Sequence, residues 1–339
     1  MIRIDPDRPD PEIVAEAAAI LRLGGLVAFA TETVYGLGAV ATEPAAVGRI
    51  FEAKGRPSFN PLIVHVDGVE RARECAASWP DAADRLAARF WPGPLTLVLP
   101  RSARIPDEVT AGRSTVAIRS PATAVARALI AAVGLPLAAP SANRSNRISP
   151  TRAEHVLEEL DGRVELILDS GPTRLGLEST VLDLTSSTPV ILRPGPIGLA
   201  EIRSVLEQVP VVEAGEGSHS DSPASPGMLP VHYAPRTPAY RLEPGDGIPA
   251  RSWTARSALL ILGSHGAEQW PDSLPRIILS HPIAAARDLY ATLRELDSRG
   301  LGAIFVAMPP AVAEWAAVRD RLLRATRPLV EQPPLDVDD

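Results

Sequence analysis

The residues able to do chemistry fall in six short stretches, each expected near the end of a strand and each mixing hydroxyls, glycines and isolated cations. TETVYGLGA (31–39) offers Thr31 and Thr33 in a loop whose glycines let the backbone approach a ligand closely. The bland alternative is a tight turn, because Gly36-x-Gly38 lacks the third glycine of a dinucleotide fingerprint. KGRPSFNPLIVHV (54–66) sets Lys54, Arg56 and Asn60 on a proline-stiffened loop. That group suits a polyphosphate, unless the cations only cap a helix in solvent. His65, inside the apolar strand that follows, reads by itself as a satisfied core histidine. TVAIRSP (115–121) carries Thr115 and Arg119, the arginine expected at a pocket mouth or, alternatively, at a solvated strand end. PLAAPSANRSNRISPT (136–151) crowds Ser141, Ser145, Ser149, Thr151 and two asparagines between prolines. Such loops suit anions, although turn chemistry and an N-cap for the next helix account for part of it. DSGPTRLGLESTVLDL (169–184) brings Ser179 and Thr180 to a strand start, and ILRPGPI (191–197) puts Arg193 between a strand and a proline turn.

No Walker A lysine, G-x-S-x-G elbow, His-x-x-x-His pair or acidic cluster accompanies these stretches. The chemistry on offer is an electrostatic cradle without a protein nucleophile. It fits a reaction between bound substrates in which Lys, Arg and Mg²⁺ neutralise phosphoryl charge, with no dedicated protein cage for the metal.

Helix-period and strand-length apolar runs alternate along the chain and would position these loops. Residues 11–22 read as a helix stopped by Gly24-Gly25, and 26–31 as a buried strand. Helical 45–54, 81–91, 122–133 and 151–160 lead into apolar runs at 62–66, 95–99, 136–140 and 165–169. Closely spaced strands at 179–184 and 190–193 suggest some antiparallel pairing, and the whole indicates an α/β domain. Small, polar and proline residues dominate 213–230, a linker composition. Beyond it, strands at 257–263, 276–280 and 302–308 and helices at 283–299 and 312–326 make a second, smaller α/β unit with a frayed acidic tail.

At 339 residues the chain has room for about two domains. Its 45% hydrophobic and 22% charged residues are those of a packed protein, and 35 prolines predict stiff loops. A net charge of −7 argues against an extended nucleic-acid clamp but permits a local basic pocket. The single Cys75 excludes an intrachain disulfide and a cysteine-rich zinc site. With no apolar leader and no membrane-length run, a soluble, cytoplasmic protein is expected.

Taken in order, TETVYGLGA, KGRPSFNPLIVHV, FWPGPLTLVL, TVAIRSP, PSANRS, DSGPTRLGLESTV and ILRPGPI resemble the Sua5/YrdC/YciO family, the threonylcarbamoyl-AMP synthases of tRNA modification. The resemblance covers roughly residues 10–205, while SPGMLPVHYAP, LYATLRELDSRG and WAAVRDRLLRAT are similar to the long, two-domain Sua5 form. It implies an open, twisted mixed sheet with helices over 1–212, a linker or lid at 213–238 and a Rossmann-like C-terminal domain at 239–339. The implied reaction joins L-threonine, bicarbonate and ATP into threonylcarbamoyl-AMP and diphosphate, for transfer by partner proteins to adenosine 37 of tRNAs reading ANN codons. By motif, Thr33, His65, Arg119, Ala139 and Ser179 would hold threonine. Arg56, Asn60, Thr115, Ser141, Ser149, Arg193 and Tyr233 would hold ATP, with Mg²⁺ on its phosphates. Lys54 is added on chemical grounds, and Lys54 and Arg56 would act electrostatically. Stable nucleic-acid or membrane binding is not expected. Two other classes stay open: a double-stranded-RNA module, disfavoured by charge and by 4% aromatics, and carbamoyl transfer of the hydrogenase-maturation type, disfavoured by the lone cysteine.

Overall fold

The computed structural model describes residues 1–207, 210–213, 232–243, 246, 256–263 and 274–329. Most of the expected lid (213–238) and the acidic tail lie outside the described residues. Two compact units divide the chain, Met1–Ser145 with Ser149–Leu229 and Asn146–Ile148 with Pro230–Asp339.

The first unit is built on a mixed sheet. Its strands are β1 (Ile2–Arg3), β2 (Val27–Ala30), β3 (Tyr35–Val40), β4 (Ile63–His65), β5 (Leu95–Pro100), β6 (Thr115–Arg119), β7 (Leu137–Ala138), β8 (Leu166–Asp169), β9 (Thr180–Asp183), β10 (Val190–Arg193) and β11 (Val212–Glu213). They lie in the order β1-β8-β2-β3-β7-β4-β6-β5-β9-β10-β11. β4 and β6 run parallel, β5 and β7 run antiparallel to them, and β9 and β10 form the expected antiparallel pair.

Helices α1 (Pro11–Arg22), α2 (Pro44–Lys54), α3 (Val69–Cys75), α4 (Asp81–Phe90), α5 (Asp107–Thr110), α6 (Ala124–Val133), α7 (Ala153–Leu160) and α8 (Leu199–Leu206) connect or flank the strands. In α1, proline occupies the first turn and the Asp10 carboxylate caps the Glu12 N–H at 2.8 Å. Its buried stripe is Val14, Ala17, Ala18 and Leu21.

Period-two alternation sorts the strand side chains onto two faces. Leu95, Leu97, Leu99, Val116, Ile118, Leu62, Val64 and Val66 join the main core, which also takes in residues of α2, α4, α7 and α8. On the other face α1 and α6 pack over Val27, Phe29, Val40, Leu137 and Leu168. Beyond that helical pair, the apolar content of this face shrinks to a four-residue cluster of Ile63, Val98, Ala117 and Val181.

One expectation is corrected here. The segment 35–40 is not a loop or tight turn but strand β3, paired with β2 and β7. Its glycines serve packing: a Cβ on Gly38 would come within 2.8 Å of the Phe29 ring, and one on Gly36 within 3.4 Å of the Ala139 methyl.

Among the described residues the second unit holds a five-stranded, all-parallel sheet. Strands β12 (Ala239–Leu242), β13 (Ser257–Leu262), β14 (Arg276–Leu279), β15 (Ala303–Ala307) and β16 (Arg327–Pro328) lie in the order β14-β13-β15-β12-β16. Helices α9 (Pro282–Ser298) and α10 (Ala316–Ala325) belong to it, the latter preceded by a 3₁₀ turn at Ala313–Trp315. Asn146–Ile148 joins this unit through an Ala234 N–H donated to the Asn146 carbonyl at 3.0 Å and an Arg294 contact to the Ile148 carbonyl. Among the described residues no helix is long and apolar enough to cross a membrane.

Candidate functional site

The buried four-residue apolar cluster is the floor of the candidate site, because the same alternation that places it on this face also lines up polar side chains at both of its ends. His65 and Arg119 stand opposite each other in the β4–β6 register, two residues beyond Ile63 and Ala117. Thr96 precedes Val98 by two on β5, and Ser179 precedes Val181 by two. At the far end of β6, four residues or about 13 Å from Arg119, Thr115 begins the strand.

The Arg119 end is a closed polar network. Arg119 is buried and donates from Nη2 to Glu32 Oε1 at 2.6 Å, from Nη1 to Thr33 Oγ1 at 2.9 Å and from Nε to the Gly93 carbonyl at 3.2 Å. Glu32 also accepts the Ala122 N–H on Oε2 at 2.9 Å. Thr33 and Thr31 share a 2.7 Å hydroxyl contact that fixes the turn after β2. Thr96 and Ser179 hydroxyls meet at 2.7 Å, and Arg193 donates to the Ser179 carbonyl at 2.9 Å and to its hydroxyl at 3.2 Å. Burial, with the Arg119 charge behind it, pushes His65 down to about 3, so its imidazole is neutral at working pH.

The opposite end gathers cations around the loop after α2. Lys54, the last helical residue, is 1% exposed and donates to the Ser141 carbonyl at 2.5 Å and also to the Asn143 carbonyl. Burial first, then the neighbouring Arg56 and Arg144 charges, hold its ammonium well below the usual lysine range. Gly55 then turns the chain at φ 59°, a left-handed conformation, with the Arg144 guanidinium 3.3 Å from where a Cβ would stand. Arg56 donates to the Asn60 and Pro61 carbonyls at 3.1 and 2.9 Å, closing the loop on itself. Asn60 is fully buried, yet neither its amide oxygen nor its amide nitrogen has a hydrogen-bond partner in the protein.

Twelve of the thirteen expected site residues lie in the first unit. The expected threonine and nucleotide groups interlock, because Arg193 holds Ser179. Ala139 donates its N–H to the Ile63 carbonyl at 3.0 Å, beside the floor. Ser149 is fully buried and donates to Glu178 at 2.6 Å. The thirteenth residue, Tyr233, belongs to the second unit. There its ring is stacked on Tyr290 at 5.6 Å, edge-on to His232 at 4.0 Å and under the Arg321 guanidinium at 5.5 Å.

Three bland alternatives fail. Lys54 and Arg56 are buried rather than solvated helix-end charges, and Arg119 is 3% exposed rather than at a solvated strand end. The helix after Pro150 starts at Ala153 with Arg152 at its cap and no side-chain cap bond, so Ser149 and Thr151 are not its caps. Sequence reasoning missed Glu32, Thr96, Arg144 and Glu178. Alternation along LTLVL could have placed Thr96 on the polar face; the other three are marked only by their contacts.

Comparison with known proteins extends over the whole of this architecture. A family model described as telomere recombination, Sua5_yciO_yrdC, matches residues 19–195, and one described as threonylcarbamoyl-AMP synthase, C-terminal domain, matches 197–326. A threonylcarbamoyl-AMP synthase of Pyrococcus abyssi is 42% identical over 91% of this chain and 93% of its own. One of Bacillus subtilis is 43% identical over 93% of each. A crystal structure of P. abyssi Sua5 complexed with L-threonine superposes with a TM-score of 0.86 at 40% identity, covering 96% of this chain and 98% of the other. A structure of the same protein with an adjacent histidine and tyrosine both changed to alanine gives 0.85 at 39% identity, covering 96% of each.

Proposed function

The chain belongs to the Sua5/YciO/YrdC family, and from that premise we propose that it is a threonylcarbamoyl-AMP synthase that condenses L-threonine, bicarbonate and ATP on the polar sheet face of its first unit. The observation that carries this assignment to particular residues is the two-ended face itself. A buried arginine with hydroxyls around it suits an amino acid at one end, and buried cations around an unpaired amide suit a nucleotide at the other.

In this scheme Arg119 takes the threonine carboxylate, because a guanidinium meets a carboxylate bidentately. Thr33, neutral His65, Ala139 and Ser179 surround the rest of the amino acid. The amine adds to bicarbonate-derived CO₂ to give N-carboxy-threonine, and its new carboxylate attacks the α-phosphate of ATP, expelling diphosphate. Overall, threonine, bicarbonate and ATP yield threonylcarbamoyl-AMP, diphosphate and water. No protein nucleophile takes part: Lys54 and Arg56 offset the phosphate charge, while Asn60, Thr115, Ser141, Ser149 and Arg193 hold the nucleotide. Mg²⁺ would be held mainly by the ATP phosphates and would help neutralise their charge.

The same proposal makes 1–212 the catalytic domain, 213–238 a lid carrying Tyr233 to ATP and 239–339 its anchor. The doubly substituted Pyrococcus protein supports interest in this segment, since His232-Tyr233 is the only adjacent His–Tyr pair in the present sequence. A closing lid would keep water from a carbamate that loses CO₂ and from a labile mixed anhydride. The product would then pass, in the cytoplasm, to threonylcarbamoyl-transfer proteins acting on tRNA.

Diphosphate release by the full chain, with ATP, Mg²⁺, bicarbonate and each amino acid in turn, tests the assignment. Threonine should be the best substrate. Serine should fall behind by the worth of one methyl contact, about 1 kcal/mol or fivefold. Alanine leaves buried hydroxyl partners unpaired and should lose about tenfold or more. Equal release with alanine and threonine would overturn it.

A further inference from the structure

Glu32 is the most buried carboxylate of the site, at 3% exposure, and none of the roles above uses it. It comes from the turn after β2, while its partner Arg119 ends β6, so only the fold brings the two together. Both carboxylate oxygens are committed, Oε1 to Arg119 Nη2 at 2.6 Å and Oε2 to the Ala122 N–H at 2.9 Å. The Glu32 carbonyl accepts the Leu175 N–H at 2.9 Å, which pins the backbone beneath it. Glu32 is thus a fixed group, and whatever it holds is fixed too.

A guanidinium has five N–H groups. Three of Arg119's are taken: Nε–H by Gly93, one on Nη1 by Thr33 and one on Nη2 by Glu32. One N–H remains on each terminal nitrogen, the number that a bidentate carboxylate needs. We propose that Glu32 is a positioning residue, which clamps Arg119 so that these two N–H groups are presented together to the α-carboxylate of the amino acid. The proposal rests on the assignment of Arg119 to threonine. The geometry argues against Glu32 being a proton acceptor, because both its oxygens already accept hydrogen bonds.

Carboxylate recognition separates aiming from general support. The probes are threonine and threoninol, which keeps the amine, the β-hydroxyl and the methyl but carries an alcohol in place of the carboxylate. Each is titrated calorimetrically into the full-length wild-type chain and into Glu32→Gln and Glu32→Asp, with ATP titrated separately. Wild type should bind threonine well ahead of threoninol. Glu32→Gln keeps the shape and loses the charge, so threonine should weaken by on the order of tenfold or more, the scale of one misaimed charge-assisted contact. Threoninol and ATP should change by less than about twofold, and Glu32→Asp, which restores the charge on a shorter arm, should recover part of the loss.

A Glu32→Gln chain that keeps the wild-type preference for threonine over threoninol overturns the proposal. So does one that weakens both ligands equally, which is general support, or one that binds threonine more tightly, which would make Glu32 a repulsive neighbour of the substrate carboxylate. If Glu32→Gln fails to fold, Glu32→Asp decides by the same comparison, and its failure to fold too would mark Glu32 as a residue of the fold and end the proposal. A wild-type chain without preference for threonine over threoninol would refute the assignment of Arg119 itself, a distinguishable result.

Discussion

Asn60 sets stability against function in a way that a single substitution can expose. Its amide is fully buried with neither end paired, and an unsatisfied buried polar group costs about 1–3 kcal/mol. The loop does not depend on that amide: the Asn60 N–H donates to the Pro57 carbonyl at 3.2 Å, and its own carbonyl accepts Arg56 Nε at 3.1 Å. Asn60→Leu keeps the branched shape, removes both stranded groups and leaves those backbone bonds in place. The ligand-free chain should therefore gain about 1–3 kcal/mol, or roughly 2–4 °C of melting temperature for each kcal/mol in a unit of this size. ATP should lose whatever the amide gives it. At about 1.5 kcal/mol per hydrogen bond to a charged group, its KM should rise by about tenfold or more. Thermal melts without ligand, paired with diphosphate-release kinetics at varied ATP, measure both halves. An Asn60→Leu chain that melts at a lower temperature while its ATP kinetics stay unchanged would refute the reasoning, for the amide would then be a structural group satisfied by water.

Three further outcomes are expected. Arg119→Ala should raise the KM for threonine and Arg56→Ala the KM for ATP, each by about tenfold or more; folded variants that lose both ligands equally would remove the division between the two ends. Because His65 is held at about 3 against 6.5 in the unfolded chain, the unfolded state binds a proton between those values that the folded state does not. Stability should thus fall with acid by up to about 1.4 kcal/mol per pH unit between pH 6.5 and 3; denaturant midpoints at about pH 7.5 and 5 should show a smaller drop in His65→Gln, and an identical drop would place the acid sensitivity elsewhere. Tyr233→Ala, assayed well below its melting temperature, should raise the KM for ATP by about tenfold and spare threonine; an unchanged ATP KM in a folded variant would leave Tyr233 to its packing with Tyr290 and Arg321.

Elements with their own periodic pattern are legible from the residues. The stripe of α1, the run LTLVL and the parallel strands of the second unit all carry enough apolar repetition to announce themselves. Elements that exist only because a neighbour pairs with them are not. β1 is two residues long and is held by register with Leu168 and Asp169, while α8 starts at Leu199 behind a Gly198 cap, directly after a proline-rich turn. β3 reads as a ligand loop because glycine is both the most permissive residue for a turn and the only one small enough to lie against Phe29. The sequence around Gly36 and Gly38 contains nothing that separates those two uses.

The site divides along the same line. Residue types and motif order point to the cations, the hydroxyls and Asn60, since these stand in stretches whose chemistry is visible locally. What the residues do to one another is hidden by distance along the chain. Arg119 alone is equally an anion receptor or a solvated strand end; only the fold brings it the Glu32 carboxylate, 87 positions earlier, which takes one of its N–H groups. Lys54 alone is an ordinary helix-end cation. Burial against the Ser141 and Asn143 carbonyls, with Arg56 and Arg144 alongside, holds its ammonium well below the usual lysine range, and under the proposed assignment a bound phosphate would relieve it. Under the proposed assignment, the like charges around Lys54 and the unpaired Asn60 amide leave the nucleotide end strained until substrate arrives. That is the condition under which binding energy can be directed into orienting two reactants with no covalent help from the protein.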